Sequence, residues 1–210
     1  MMRPLAILLL CVGLTVGLSA CNKGGGGAIG GDPGEMSLGP ATAKVTVIEY
    51  ASLGCPICAR WNNDNWDAFK AKYVDSGRVH YIYREMMTGE APVAMAGFLL
   101  AHCVGKDKYF QVIDAVYREV GPLLETNQQP EERDRLIKVA ESAGFSDDQF
   151  NTCVSDDRAI AAEQTKTDNT AKANNVESTP TFVVNGKVLT GYQDMATLDK
   201  AIADAQAAAK

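Results

Sequence analysis

Two cysteines separated by two residues, Cys55-Pro56-Ile57-Cys58, have the most evident capacity for chemistry in this sequence. Sulfurs at that spacing can close a local disulfide, alternate between disulfide and dithiol, or supply half of a zinc site. The redox option depends on position. A cysteine at the start of a helix has backbone N–H groups and the positive end of the helix dipole to favour its thiolate, the attacking species. Cys55 is then the exposed nucleophile. Cys58, one turn further on and held beneath it, attacks any mixed disulfide that forms.

The other four cysteines sort by compartment. Residues 1–20 place Arg3 before an apolar run from Leu5 to Leu18, the pattern of a secretion signal and too short for a lasting membrane span. Leu18-Ser19-Ala20-Cys21 resembles the bacterial lipobox, whose cysteine is lipidated and becomes the first residue. Acyl chains on Cys21 would hold the protein to a bilayer, at the periplasmic or another extracytoplasmic face of a bacterial membrane. Cys11 leaves with the signal, so Cys55, Cys58, Cys103 and Cys153 remain in an oxidising environment with three possible connectivities. Cys55 and Cys58 are close enough to pair, which leaves Cys103 with Cys153 as a structural disulfide. Two free buried thiols, or a second redox relay, are the competing readings.

The net charge of −6 becomes −7 once Arg3 is removed with the signal, and such a chain has no electrostatic footprint for nucleic acid. Residues 21–40 hold the lipidated cysteine and a glycine-rich tether that includes Gly24 to Gly27, with an r.m.s. reach of roughly 25 Å. Residues 41–210 have globular composition and suffice for one domain.

The elements that must position the cysteines are visible in the pattern. Lys44 to Tyr50 is β-branched and aromatic and ends at Ser52-Leu53-Gly54, a strand feeding a turn. Trp66, Phe69 and Tyr73 form the stripe of a helix after Cys58, and Val79 to Arg84 reads as a second strand completing a β-α-β unit. A helical insertion at about 91–176 follows, of three to five helices: Val93 to Val104, Tyr109 to Val120, Pro130 to Ala143, and Asp147 to about Asn169. Thr181 to Val184 and Lys187 to Thr190 flank Asn185-Gly186, a pair suited to a type I′ hairpin. Asp194 can cap a last helix from about Met195 to Ala209.

The run Glu49-Tyr-Ala-Ser-Leu-Gly-Cys55-Pro56-Ile57-Cys58, with Thr179-Pro180-Thr181-Phe182 far downstream, resembles the DsbA-like branch of the thioredoxin superfamily. The resemblance covers most of residues 41–210. It implies an α/β thioredoxin fold, a mixed central sheet flanked by helices, with the helical insertion between the two halves of the sheet. It also implies a cis-proline at Pro180 against the active-site disulfide, leaving the Thr179 backbone free to pair with an incoming substrate strand. Glu49 matches the family's buried acid beneath the redox pair, where a carboxyl with a raised pKa relays the proton of Cys58. On residues alone, a solvated strand glutamate is the alternative. One position departs from the pattern: Ile57 stands where strongly oxidising members commonly carry His, and it cannot place positive charge near the Cys55 thiolate.

The expected function is thus oxidation of dithiols to disulfides in exported substrate proteins, by a monomer needing no cofactor. A membrane quinone-linked partner of the DsbB kind, implied by the resemblance, would reoxidise it. One alternative is a reductase or isomerase on the same fold, though isomerases tend to carry an added N-terminal dimerisation module. Another is a metal-binding or chaperone-like protein that uses its cysteines as ligands. No metal site is expected, because His80 and His102 have no second ligand at a metal-binding spacing. Trp61 and Trp66 could shape a peptide surface, but aromatics on a helix that covers a sheet are more often core.

Overall fold

The structure is a computed structural model and describes residues 35–124 and 129–209. The lipobox, Cys21 and the glycine run lie outside the described residues. Strand β1 (Met36–Leu38) is followed by β2 (Val45–Ala51), helix α1 (Pro56–Phe69) with a π-helical turn at Lys70–Val74, and β3 (Val79–Glu85). Six helices come next: α2 (Ala91–Cys103), α3 (Lys106–Glu119), α4 (Gly121–Leu124), α5 (Gln129–Ser142), α6 (Asp147–Val154) and α7 (Asp157–Asn174). The hairpin β4 (Thr181–Val184) and β5 (Lys187–Thr190) and helix α8 (Met195–Ala208) complete the chain. The five strands form one sheet in the order β1-β3-β2-β4-β5. The β2–β3 pair is parallel and the other pairs are antiparallel.

Alternation along the strands divides the core in two. Val45, Val47 and Ala51 of β2 point to the face covered by α1, α8 and the helical insertion, together with Val79, Tyr81 and Tyr83 of β3. Ile48 and Tyr50 point the other way, into a smaller cluster with Ile82 and Met86. A central strand buried on both faces reads as a continuous apolar run, which is why β2 was legible. Glu49 falls on the larger core face by the same alternation, and is buried.

Three features differ from expectation. Met36–Leu38, assigned to the tether, pairs antiparallel with β3 as an edge strand. The segment from Asp147 to Asn169 is two helices. Asp156 caps the second by accepting from the backbone N–H groups of Arg158 and Ala159 at 2.9 and 3.2 Å, and such a cap stops one helix and starts another. With α4, this raises the insertion to six helices among the described residues. At the hairpin, Asn185 and Gly186 have φ of 45° and 90°, the positive pair that a type I′ turn requires. Asn185 also secures the hairpin to β2, accepting from the Thr46 N–H at 2.8 Å and donating to the Lys44 carbonyl at 3.0 Å.

Candidate active site

Strand β2 delivers the chain to a turn, and Cys55 is the residue that caps α1. It is extended (φ −101°, ψ 114°), and its sulfur accepts the backbone N–H of Cys58 at 3.3 Å, as a cap side chain does. Pro56 occupies the first helical position, where no N–H is needed and its fixed φ suits the helix. Cys58 therefore lies one turn into α1, on the core side. Both thiols are free in this structure. Cys55 is less open than expected: 6 % exposed, against 0 % for Cys58, while Ile57 between them projects with 44 % exposed. The sulfur is drawn in because a cap side chain folds back over its own helix, and because the Thr179 loop lies across it.

The Thr179–Pro180 bond is cis, and the Cys55 thiol donates to the Thr179 carbonyl at 3.5 Å. Residues that sequence did not single out hold this arrangement. Ser52 Oγ donates to the Thr88 carbonyl at 2.8 Å and accepts from the N–H groups of Gly54 and Thr88. Thr88 Oγ1 in turn lies 2.6 Å from Thr179 Oγ1. Three loops are thus linked around the cysteines. Gly54 is required by close approach, since a Cβ there would stand 2.2 Å from the Glu90 carbonyl oxygen. No local signal marks Ser52 or Thr88 as links between loops, because the Ser52–Thr88 and Thr88–Thr179 contacts join positions far apart in sequence.

Electrostatics separate the two thiols. The Cys55 pKa is lowered to about 6, first by a hydrogen bond from the Cys58 side chain and then by Thr179 and the backbone N–H groups of Cys58 and Ile57, against opposing burial. Burial pushes the Cys58 thiol up, and its neighbour Cys55 pushes in the same direction. Glu49 is raised to about 8, chiefly by burial, although the Tyr81 hydroxyl donating to Oε2 at 2.6 Å favours the carboxylate. The charge of Cys55 acts on Glu49 in the same upward direction as burial, and the charges of Glu49 and Cys58 both act on Tyr81.

A carboxyl whose folded pKa exceeds its unfolded value stabilises the fold least at high pH. Its effect is neutral below about 4.5 and increasingly unfavourable as pH rises toward about 8. Glu49→Gln keeps an acceptor for Tyr81 but cannot ionise, so at pH 7 it should be the more stable protein by on the order of 3 kcal/mol, with no gain at pH 4. If Glu49 takes up the Cys58 proton, as the family resemblance implies, the variant's thiol exchange should also be slower. Urea unfolding at the two pH values together with turnover checks this, and a gain independent of pH would contradict it.

Other expected residues have packing roles. Trp61 and Trp66 are core, Trp61 lying 4.7 Å from the Phe182 ring and donating to the Gln193 carbonyl at 2.8 Å. Cys103, at the end of α2, is disulfide-bonded to Cys153 of α6, with Cα atoms 6.4 Å apart. Among the described residues no helix is long and apolar enough to cross a membrane.

A Cys-x-x-Cys at the start of the first helix, facing a cis-proline loop beside a mixed sheet, defines a redox protein of the thioredoxin fold. A family model described as Thioredoxin matches residues 32–204, and the chain belongs to that family. A protein of Rickettsia bellii named a protein-disulfide oxidoreductase is 27 % identical over 179 residues, covering 83 % of this chain and 67 % of that protein. One of the same name from Rickettsia conorii is 29 % identical over 172 residues, covering 81 % and 60 %. The chain thus spans 60 to 67 % of the length of these two relatives. The crystal structure of alpha-DsbA1 from Wolbachia pipientis matches with a TM-score of 0.75 at 22 % identity, over 86 % of this chain and 95 % of that one. Oxidised BdbD from Bacillus subtilis matches with a TM-score of 0.60 at 22 % identity, over 81 % and 92 %. These likenesses establish a DsbA-like fold, as Glu49 to Cys58 and Thr179 to Phe182 implied.

Proposed function

We propose that the chain is an exported thiol-disulfide oxidoreductase that oxidises dithiols in substrate proteins. The observation that carries the direction is the Cys55 pKa of about 6. A lowered thiol pKa belongs to the reduced protein alone, so between about pH 6 and 9 it stabilises the dithiol over the disulfide and makes the disulfide the stronger oxidant. A substrate thiolate attacks Sγ of Cys55 in the Cys55–Cys58 disulfide, and Cys58 departs as thiolate and takes up a proton. A second substrate thiol, deprotonated, attacks the mixed disulfide at the substrate sulfur. The substrate leaves with its disulfide, and two electrons remain on Cys55 and Cys58. A second protein, a membrane partner of the DsbB kind, must remove them.

Titration of the pair against glutathione tests the direction. A potential well above the roughly −270 mV of a reducing thioredoxin supports oxidation, and one near that value favours the reductase. Ile57 sharpens the test, since the Cys55 thiolate is stabilised here by thiol and backbone donors without a side-chain cation. Ile57→His should lower the Cys55 pKa further and raise the potential by tens of millivolts, about 30 mV corresponding to 1.4 kcal/mol. An unchanged potential would show that position 57 does not set the redox poise.

The proposal includes a lipid anchor on Cys21 and a monomer acting at the extracytoplasmic face. The support is the lipobox-like Leu18 to Cys21 and the apolar run before it. Cys21→Ser should move the protein from the membrane pellet to the soluble exported fraction. Continued sedimentation with membranes would point to another attachment.

A further inference from the structure

Away from the cysteines, three elements bring together side chains that no spacing in the sequence connects. Glu85 is the last residue of β3, His102 the penultimate residue of α2, and Glu163 lies in the second turn of α7. One ligand atom from each lies within 4.8 Å of the other two. His102 Nε2 is 2.8 Å from Glu85 Oε1 and 3.8 Å from Glu163 Oε2. Bonds of about 2.0 to 2.2 Å in tetrahedral geometry place ligand atoms roughly 3.3 to 3.6 Å apart, a spacing these two distances bracket.

Hydrogen bonding in the cluster is lopsided. Glu85 accepts from the Tyr109 hydroxyl and from the ammonium of Lys166, and His102 Nε2 lies 2.8 Å from its Oε1 and 3.3 Å from that ammonium. Glu163, with a side chain 5 % exposed, has a buried Oε1 that no donor reaches, while its Oε2 is 3.4 Å from Lys166. A buried carboxylate oxygen without a partner is costly, and such atoms are rare in native proteins. A single ammonium on a side chain 44 % exposed is the only cation that faces the two carboxylates among the described residues.

We propose that Glu85, His102 and Glu163 form a binding site for a borderline divalent cation, zinc in first place, in competition with the Lys166 ammonium. His102 would bind through Nε2 as the neutral imidazole carrying its proton on Nδ1, and Tyr109 would hold Glu85 from outside the site. One imidazole and two carboxylates suit zinc and leave a position for water. Calcium, which takes six to eight oxygens, is poorly served by three protein ligands of which one is nitrogen. The bound cation would tie the end of β3 to α2 and α7, beside the Cys103–Cys153 link from α2 to α6.

The experiment titrates zinc sulfate into the full chain with Cys55–Cys58 oxidised, so that the redox thiols cannot act as ligands. One zinc per chain and a rise in Tm on loading are expected, since a ligand that binds only the folded state stabilises it. His102→Gln and Glu163→Gln should each weaken binding at least about tenfold. Lys166→Met should strengthen it, because the competing ammonium is gone, and this variant still decides if a ligand variant fails to fold. Affinity unchanged in both ligand variants, affinity unchanged or lowered by Lys166→Met, or displacement of zinc by excess calcium overturns the assignment.

Discussion

Cys55→Ser should reduce dithiol oxidation to background, while Cys58→Ala should accumulate mixed disulfides with substrate proteins. A serine hydroxyl cannot form the disulfide that substrates attack, so no residual route exists. In Cys58→Ala the Cys55 thiolate still attacks a substrate disulfide and expels one substrate thiolate, but the thiol that would resolve the adduct is absent. The asymmetry has a physical basis in the free thiols. Cys55, with a pKa of about 6, is about nine-tenths thiolate at pH 7, whereas Cys58 is fully buried and pushed the other way. Alkylation of the reduced protein should therefore be confined to Cys55, with a rate that rises through about pH 6 and levels off before pH 8. Equal labelling of both cysteines, or a rate still climbing at pH 9, would remove the basis for their separate roles. Cys55 is only 6 % exposed, so small reagents should report this chemistry better than bulky ones.

Removing the second disulfide should cost about 4 kcal/mol of stability, the largest effect on stability of any change discussed. Cys103 and Cys153 close a loop of sequence separation 50 and join α2 to α6 inside the insertion. In the chain-entropy account, a loop of that length restricts the unfolded ensemble by about 4 kcal/mol, an upper figure where the unfolded chain keeps structure. The Cys103→Ala, Cys153→Ala double variant should unfold at correspondingly lower urea, with Tm lower by roughly 10 °C for a domain of this size. Turnover of the folded double variant separates the two roles of the bridge. Unchanged turnover and an unchanged Cys55–Cys58 potential mark it as structural. A shifted potential with little loss of stability would mark a relay.

The redox pair and its setting were legible because their signals are local. Two cysteines three positions apart at the end of an apolar β-branched run must sit at a strand–helix junction, whatever the rest of the chain does. Asn185-Gly186 states its own turn type, since both residues tolerate the positive φ that the hairpin demands. The pairing of Cys103 with Cys153 followed by elimination once Cys55 and Cys58 were matched. Pro180 could be placed opposite Cys55 only by resemblance, since 124 residues separate Cys55 from Thr179.

Tertiary structure decided what depends on partners far along the chain. Met36–Leu38 is three residues beside a glycine-rich stretch, too short for a periodic signal, and is a strand only because β3 offers a free edge. Glu49 could have faced water on a strand read in isolation. The common face it shares with Val47 and Ala51, under α1, turns it into a buried acid with a pKa near 8. Cys55, expected in the open, is covered by its own helix turn and by the Thr179 loop. His102 had no metal-binding partner within reach along its own helix, yet the packing of α2 and α7 against the end of β3 sets two carboxylates beside it. Spacing along a chain records which side chains share an element, and so it determined the cysteine pair. Which side chains share a buried volume depends on how elements pack; for Glu49 and Thr179 that packing supplies the burial and the Cys55 contact that only resemblance had implied, and for the Glu85–His102–Glu163 cluster it alone brought the three together.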